Sequence, residues 1–198
     1  MCLDITSYLF GKKSSGGGSG SLDWTALGFD GAPPSMIDDY NYSAQIQSAF
    51  VPAKDLNHKY NGDTKMIYVP AIDTSTAENM SYMFAYCNNI NSVAPIDTSN
   101  VYTFKSMFDS CGKLRDVPIF DLSSVTYWGN LNWMFHDCNS LTDESLDNIL
   151  QSCIGATSVS GTKTLLNMGI SSSYYSASRI QALPHYQDFI DAGWTIGY

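Results

Sequence analysis

The chain has 198 residues, 44% hydrophobic and 15% charged, with a formal net charge of -9. That apolar content suits one folded domain with an appendage and excludes a chain disordered throughout. Ten Lys and Arg against nineteen Asp and Glu exclude a phosphate-rich partner such as nucleic acid, and no apolar run of about 18 residues is present to span a membrane.

Residues 1-13, MCLDITSYLFGKK, carry Leu3, Ile5, Tyr8, Leu9 and Phe10 among polar residues. They lack the basic start and long apolar core of a secretory signal, so the expectation is a protein made and folded in a cytoplasm. The tract SSGGGSGS at 14-21 reads as a flexible linker spanning about 15 Å as a random coil. An apolar peptide on a flexible tether reads as an anchor, and those five side chains are the candidate partner-binding residues. A frayed terminus is the plainer alternative.

Residues 22-55 are the expected N-terminal cap. After SLDWTALGF and a Pro33-Pro34 turn, a helix is predicted to start near Asp38 or Asp39, with Tyr42, Ile46 and Phe50 at i, i+4 and i+8. Such a helix can close the open edge of the segment that follows.

That segment, 56-141, is a repeat. Val69, Val93, Val117 and Asp73, Asp97, Asp121 step by 24 residues, while Met83-Phe84, Met107-Phe108, Met134-Phe135 and Cys87, Cys111, Cys138 step by 24 and then 27. A fixed period in this range predicts a solenoid, whose units bury one another's apolar edges. A degenerate first unit precedes them, with Leu56, Tyr60, Met66 and Val69 answering Met80, Phe84, Ile90 and Val93, and Asp63 standing at the Cys position. Within a unit, the run around Val93-Ile96 predicts a short strand, and Asp-Thr-Ser a self-capped turn. Val101, Phe104, Met107, Phe108 and Cys111, at i, i+3, i+6, i+7 and i+10, predict a short helix facing inward. The fold class expected is therefore α/β, with a parallel sheet along one face and short helices or turns along the other.

Past Leu141 the period stops, and 142-198 is expected to cap the stack. Thr142 or Asp143 can start a helix with Leu146, Ile149, Leu150 and Cys153 on one face. TKTLLNMGI reads as a last strand. SYYSASRIQALPHYQDFIDAGW reads as two short helices broken before Pro184 and ended at Gly193, and WTIGY as a final short strand.

The chemistry is sparse. Three of the five cysteines share one repeat position, where stacked side chains run parallel, so they read as small buried hydrophobes rather than disulfide partners or metal ligands. The Asp column 73, 97, 121 could hold calcium, but the Ser that follows each favours a carboxylate closing its own turn. His58, His136 and His185 lie in no ligand spacing. No catalytic set is identifiable, and no metal or cofactor is expected. The third unit carries three extra residues in TYWGNLNWMF, which makes Tyr127, Trp128, Asn130 and Trp133 the candidate receptor-binding residues, suited to a sugar ring or an aromatic-anchored protein contact. The alternative is that Trp128 folds down over the start of the C-terminal cap.

Asp97-Thr98-Ser99-Asn100-Val101 with Met107-Phe108 and Cys111 resembles the pattern of BspA-like leucine-rich-repeat surface proteins of gut and oral bacteria, over about residues 65-141. The first unit departs from it at Thr76-Ala77 and the third at its insertion. The resemblance implies a leucine-rich-repeat-like solenoid that binds or adheres and is not an enzyme. The flanks, with the N-terminal peptide ending in Gly-Lys-Lys, the Ser/Gly tract, Asp23-Trp24 and the GWTIGY ending, resemble small virion appendage proteins of tailed phages of gut bacteria. That second resemblance implies a structural protein of the virion, assembled in the host cytoplasm and attached through residues 1-13 to other virion proteins of capsid, collar or tail. It also implies a host-surface glycan or protein as receptor and a symmetric homo-oligomer, by analogy a trimer. The BspA-like alternative is a bacterial adhesin or interaction module.

Overall fold

The computed structural model describes residues 34-197, with side chains from 42 onward. The expected anchor (Leu3, Ile5, Tyr8, Leu9, Phe10), the linker at 14-21 and the start of the N-terminal cap lie outside the described residues. Helix α1 spans Pro34-Ala49, so it begins ahead of the predicted Asp38, and Pro34 opens the helix instead of ending a turn. Proline fits there because the first helical N-H has no partner inside the helix and the ring already holds a helical φ. Ile46 is buried, and Tyr42 and Phe50 pack half-buried against the core.

The repeat units stack in register. Strand β1 (Tyr68-Val69) pairs in parallel with β2 (Ser92-Val93), and Ser92 bridges onward to Asp116. A second row of parallel bridges joins Asp55, Asn79 and Thr103. The regular strands are only two residues long because Pro70 and Pro95 follow closely and offer no N-H to a ladder.

The helix predicted at 101-111 does not form. Its residues are buried as expected, but the segment is a run of linked turns, and the same holds at 80-87. Alternate donors divide the work. Met107, Asp109 and Cys111 N-H bond back three residues to Phe104, Ser106 and Phe108, while Phe104, Ser106, Phe108 and Ser110 N-H reach across to Asn130, Asn132, Met134 and His136 of the next unit. The same pattern runs from Met80, Tyr82, Phe84 and Tyr86 to Thr103, Lys105, Met107 and Asp109. This arrangement needs a left-handed residue every fourth position, and Tyr82, Tyr86, Ser106, Ser110, Trp133 and Asp137 all have φ between 54° and 63°. An α-helix excludes that conformation, which costs a non-glycine residue about 1-2 kcal/mol. The cross-unit hydrogen bonds offset that cost. Apolar spacing of three and four residues fits both a helix and this turn ladder.

The core is built of columns. Tyr60, Phe84, Phe108 and Phe135 stack with ring centroids 5.7, 5.5 and 5.8 Å apart and planes within 9°. Full burial of each Phe contributes about 1.5-3 kcal/mol, and the ring pairing about 0.5-1.5 kcal/mol more. The cysteines do more than fill space. The thiols of Cys87, Cys111 and Cys138 donate to the carbonyls of Tyr60, Phe84 and Phe108 in the preceding unit, at 3.0, 3.1 and 3.0 Å. Each carbonyl already closes a turn of its own unit, so the thiol takes its second lone pair. At the first unit Asp63 instead accepts from the Tyr42 hydroxyl of α1. The carboxylates of Asp73, Asp97 and Asp121 accept from the backbone N-H of Ser75, Ser99 and Ser123, which is the self-closed turn.

Helices cover both edges of the strand column with side chains in place of another strand. From α1, Ser43 donates to Tyr68 O and Gln47 to Ala71 O. At the far edge, helix α2 (Asp143-Gly155) presents Ser145 and Ser152, which accept from Val117 and Phe120 N-H at 2.9 Å, and Asn148, which donates to Val117 O. Thr142 caps α2 by accepting from Ser145 N-H, and Leu146, Ile149, Leu150 and Cys153 are buried, as the sequence predicts. Helices α3 (Ala177-Gln181) and α4 (Tyr186-Asp191) flank the break at Pro184.

One expectation is corrected here. Residues 162-170 form no strand, and stacking does not stop at Leu141. Leu165-Gly169 is a tight turn, with Met168 and Gly169 N-H bonded back to Leu165 and Leu166 O, and its Asn167 and Met168 carbonyls accept from Trp133 and Phe135 N-H. The tail then bridges Thr195 to Thr164, a single rung rather than a strand.

Candidate functional site

The four candidate receptor residues are separated by the fold. The inserted turn becomes a short 3-10 helix at Trp128-Leu131, and its entry is tied down by a parallel bridge from Tyr127 to Ser160. Trp128 lies half-buried over Gly161, where a Cβ would come 2.1 Å from its ring, so it folds onto the cap. Tyr127 stays 51% exposed. Asn130 is half-buried, and its backbone serves the ladder by accepting from Phe104 N-H at 2.8 Å. Trp133 is different: its left-handed backbone (φ 60°) turns the ring outward, 50% exposed, beside an open cavity of about 440 Å³.

That cavity lies at the seam between the last repeat and the cap. Trp133, His136 and Asp137 form one wall; Asn167, Gly169 and Tyr174 form the other. The Trp133 and His136 rings are 5.7 Å apart, and His136 Nδ1 sits 3.0 Å from Asp109 Oδ1 and 3.7 Å from Asp137 Oδ2. Tyr174 donates to Asp137 Oδ1 at 3.0 Å, and that carboxylate pushes the phenol's pKa up. The neighbouring Tyr175 is buried; its hydroxyl donates to Cys138 O and accepts from Leu141 N-H, pinning the second wall to the first. Burial pushes its phenol up to about 12. Gly169 sits at φ 92° with a Cβ site 2.4 Å from His136 N, so only glycine lets the walls approach.

Sequence reasoning missed His136, Asp137, Asn167 and Tyr174 because these residues lie 30 or more positions apart between the two walls. A faint signal existed. TLLNM at 164-168 echoes TFKSM at 103-107 and marks the second wall as one more turn.

Ser110 Oγ donates to Asp109 rather than facing the His136 imidazole, so this serine is not lined up with that base. Burial pushes the Cys87 thiol up to about 11 from an ordinary 9.0, and raises Cys111, Cys138 and Cys153 further. These thiols are held protonated and unreactive. Among the described residues, no group of three or more His, Cys, Asp and Glu could hold a metal ion, and no helix is long and apolar enough to cross a membrane. His58 stacks on Tyr82 at 4.7 Å, and His185 pairs with Asp147 at 2.7 Å beside a second hollow of about 430 Å³.

Sequence repeats paired in register by cross-unit hydrogen bonds, beside an aromatic-lined seam, are what the described residues show. The chain belongs to the family described as Mycoplasma protein of unknown function, DUF285, which matches residues 44-153, more than half of its length. The match spans the stack from α1 to α2 and is consistent with BspA-like repeats. No curated protein and no solved structure matches significantly.

Proposed function

We propose that the chain is a non-enzymatic binding module, a leucine-rich-repeat-like solenoid that presents its turn-ladder face to a partner. The observation that carries this reading is the aromatic residues on the ladder. Tyr82, Tyr86 and Trp133 occupy left-handed positions of the ladder, and Tyr86 and Trp133 are about half exposed, at 51% and 50%, while Ser106 between Tyr82 and Trp133 is buried. Rigid, amphipathic rings on a fixed backbone are the residues that anchor binding surfaces, because little conformational entropy is lost on contact.

The setting we infer is the virion of a tailed phage, with residues 1-13 attached to a capsid, collar or tail component and the stack displayed for host-surface binding or fibre assembly. Support for it comes from the N-terminal peptide and Gly/Ser tract in the sequence. The family match over 44-153 favours a second reading, a BspA-like bacterial surface adhesin. Deleting residues 1-21 separates them: loss of incorporation into particles supports the virion setting, and unchanged incorporation overturns the anchor. For the module itself, full-length protein on beads should capture whole bacterial cells, and Trp133→Ala with Tyr86→Ala should abolish capture with folding intact. Undiminished capture would remove the ladder face as the binding surface.

A further inference from the structure

We infer that the seam cavity is a saccharide site in which Trp133 stacks on the apolar face of a neutral pyranose. This deepens the proposed binding role and rests on it. Four features converge. The cavity, about 440 Å³ and open on one side, lies within the roughly 300-1,000 Å³ of small-ligand sites. Trp133 is the exposed aromatic platform at its wall, held by the Trp133 N-H to Asn167 O bond at 2.8 Å. Around it the lining is polar and fixed: Asp137 is oriented by Tyr174, His136 by Asp109, and the Asn167 amide by its bond to Thr162 O at 3.2 Å. The half-buried Asn132 amide, also in the lining, makes no side-chain hydrogen bond to any described residue.

A peptide anchor needs an apolar, desolvated pocket for its side chain. Here Trp133, Tyr174 and Leu166 share the lining with a crowd of donors and acceptors, the complement of a sugar whose C-H face is apolar and whose rim is hydroxyl. No Lys or Arg is among the lining residues while Asp137 is, so acidic sugars are disfavoured.

The test uses the full chain with methyl glycosides of glucose, galactose, mannose and N-acetylglucosamine, and sialic acid as an anionic control. Saturation-transfer NMR and tryptophan fluorescence report binding. At least one neutral glycoside should bind and sialic acid should not. Trp133→Ala should weaken that binding about tenfold or more, Trp133→Phe less, and Asn132→Ala should weaken it while far-UV circular dichroism stays unchanged. Binding unaffected by Trp133→Ala and Asn132→Ala overturns the site. If no neutral glycoside binds, yet Trp133→Ala removes capture of protease-treated cells in the bead assay, the saccharide class as tested is overturned while the binding reading survives. If capture depends instead on protease-sensitive cell protein, the partner is a protein and this inference fails.

Discussion

The stack from Leu56 to Cys138 and the region from Thr142 to Gly197 are joined by backbone hydrogen bonds but are built differently. In the stack, the units after the first each repeat the Phe and Cys columns, and each ring or thiol contacts the neighbouring unit. In the cap, the turn at Leu165-Gly169 accepts hydrogen bonds from Trp133 and Phe135 of the last repeat, and the edge is finished by Ser145, Asn148 and Ser152 of α2. Backbone pairing to the last repeat therefore continues after the side-chain columns have stopped. Where the side-chain columns end, the walls part around Trp133 and the surface acquires a cavity.

The sharpest break of the stack alone is Phe108→Ala. It removes the central ring of the column and should cost about 3-5 kcal/mol in denaturant unfolding, far more than an exposed ring such as Tyr102→Ala. Next is Gly169→Ala at the junction. A Cβ 2.4 Å from a backbone nitrogen, at φ 92°, should cost about 3 kcal/mol and also weaken ligand binding at the seam, because that glycine sets the approach of the walls. Third, Ser152→Ala leaves Phe120 N-H without its acceptor at the buried edge and should cost about 1-3 kcal/mol, which tests whether α2 closes the strand column through its side chains.

The smallest effect is one of pH. The buried thiols have folded pKa values raised above the ordinary 9.0, to about 11 for Cys87, so their contribution to stability is fully present below pH 9. It declines as pH rises through that window, because the unfolded chain ionises first. Unfolding midpoints measured from pH 7.5 to 10.5 should fall more steeply than in Cys87→Ala. A thiol reagent at neutral pH should leave Cys87, Cys111, Cys138 and Cys153 unlabelled until the protein unfolds.

Much of the stack was legible because its packing is a column: a residue buried once is buried again 24 positions later, so Val69, Phe84, Cys87 and their equivalents declare themselves. The helices α2, α3 and α4 were legible through the Thr142 cap and the break at Pro184. The turn ladder was not, since its inward residues recur at three and four positions as a helix's do, and the difference lies in the left-handed φ of Ser106 and Ser110. The turn at 165-169 was hidden because its partners are backbone atoms, which leave little mark on sequence. The seam escaped for the same reason, and Trp133 was grouped with Trp128 although the two rings serve different surfaces.

Native-state hydrogen exchange of the ladder amides tests the continuity of the stack most directly. The account predicts slow exchange, of similar protection, for Phe84, Phe108, Trp133 and Phe135 N-H, each bonded to the unit or turn that follows. Fast exchange at Trp133 and Phe135 with Phe84 and Phe108 still protected would contradict it, because the last repeat and the cap would then not be paired and the seam would not be a built site.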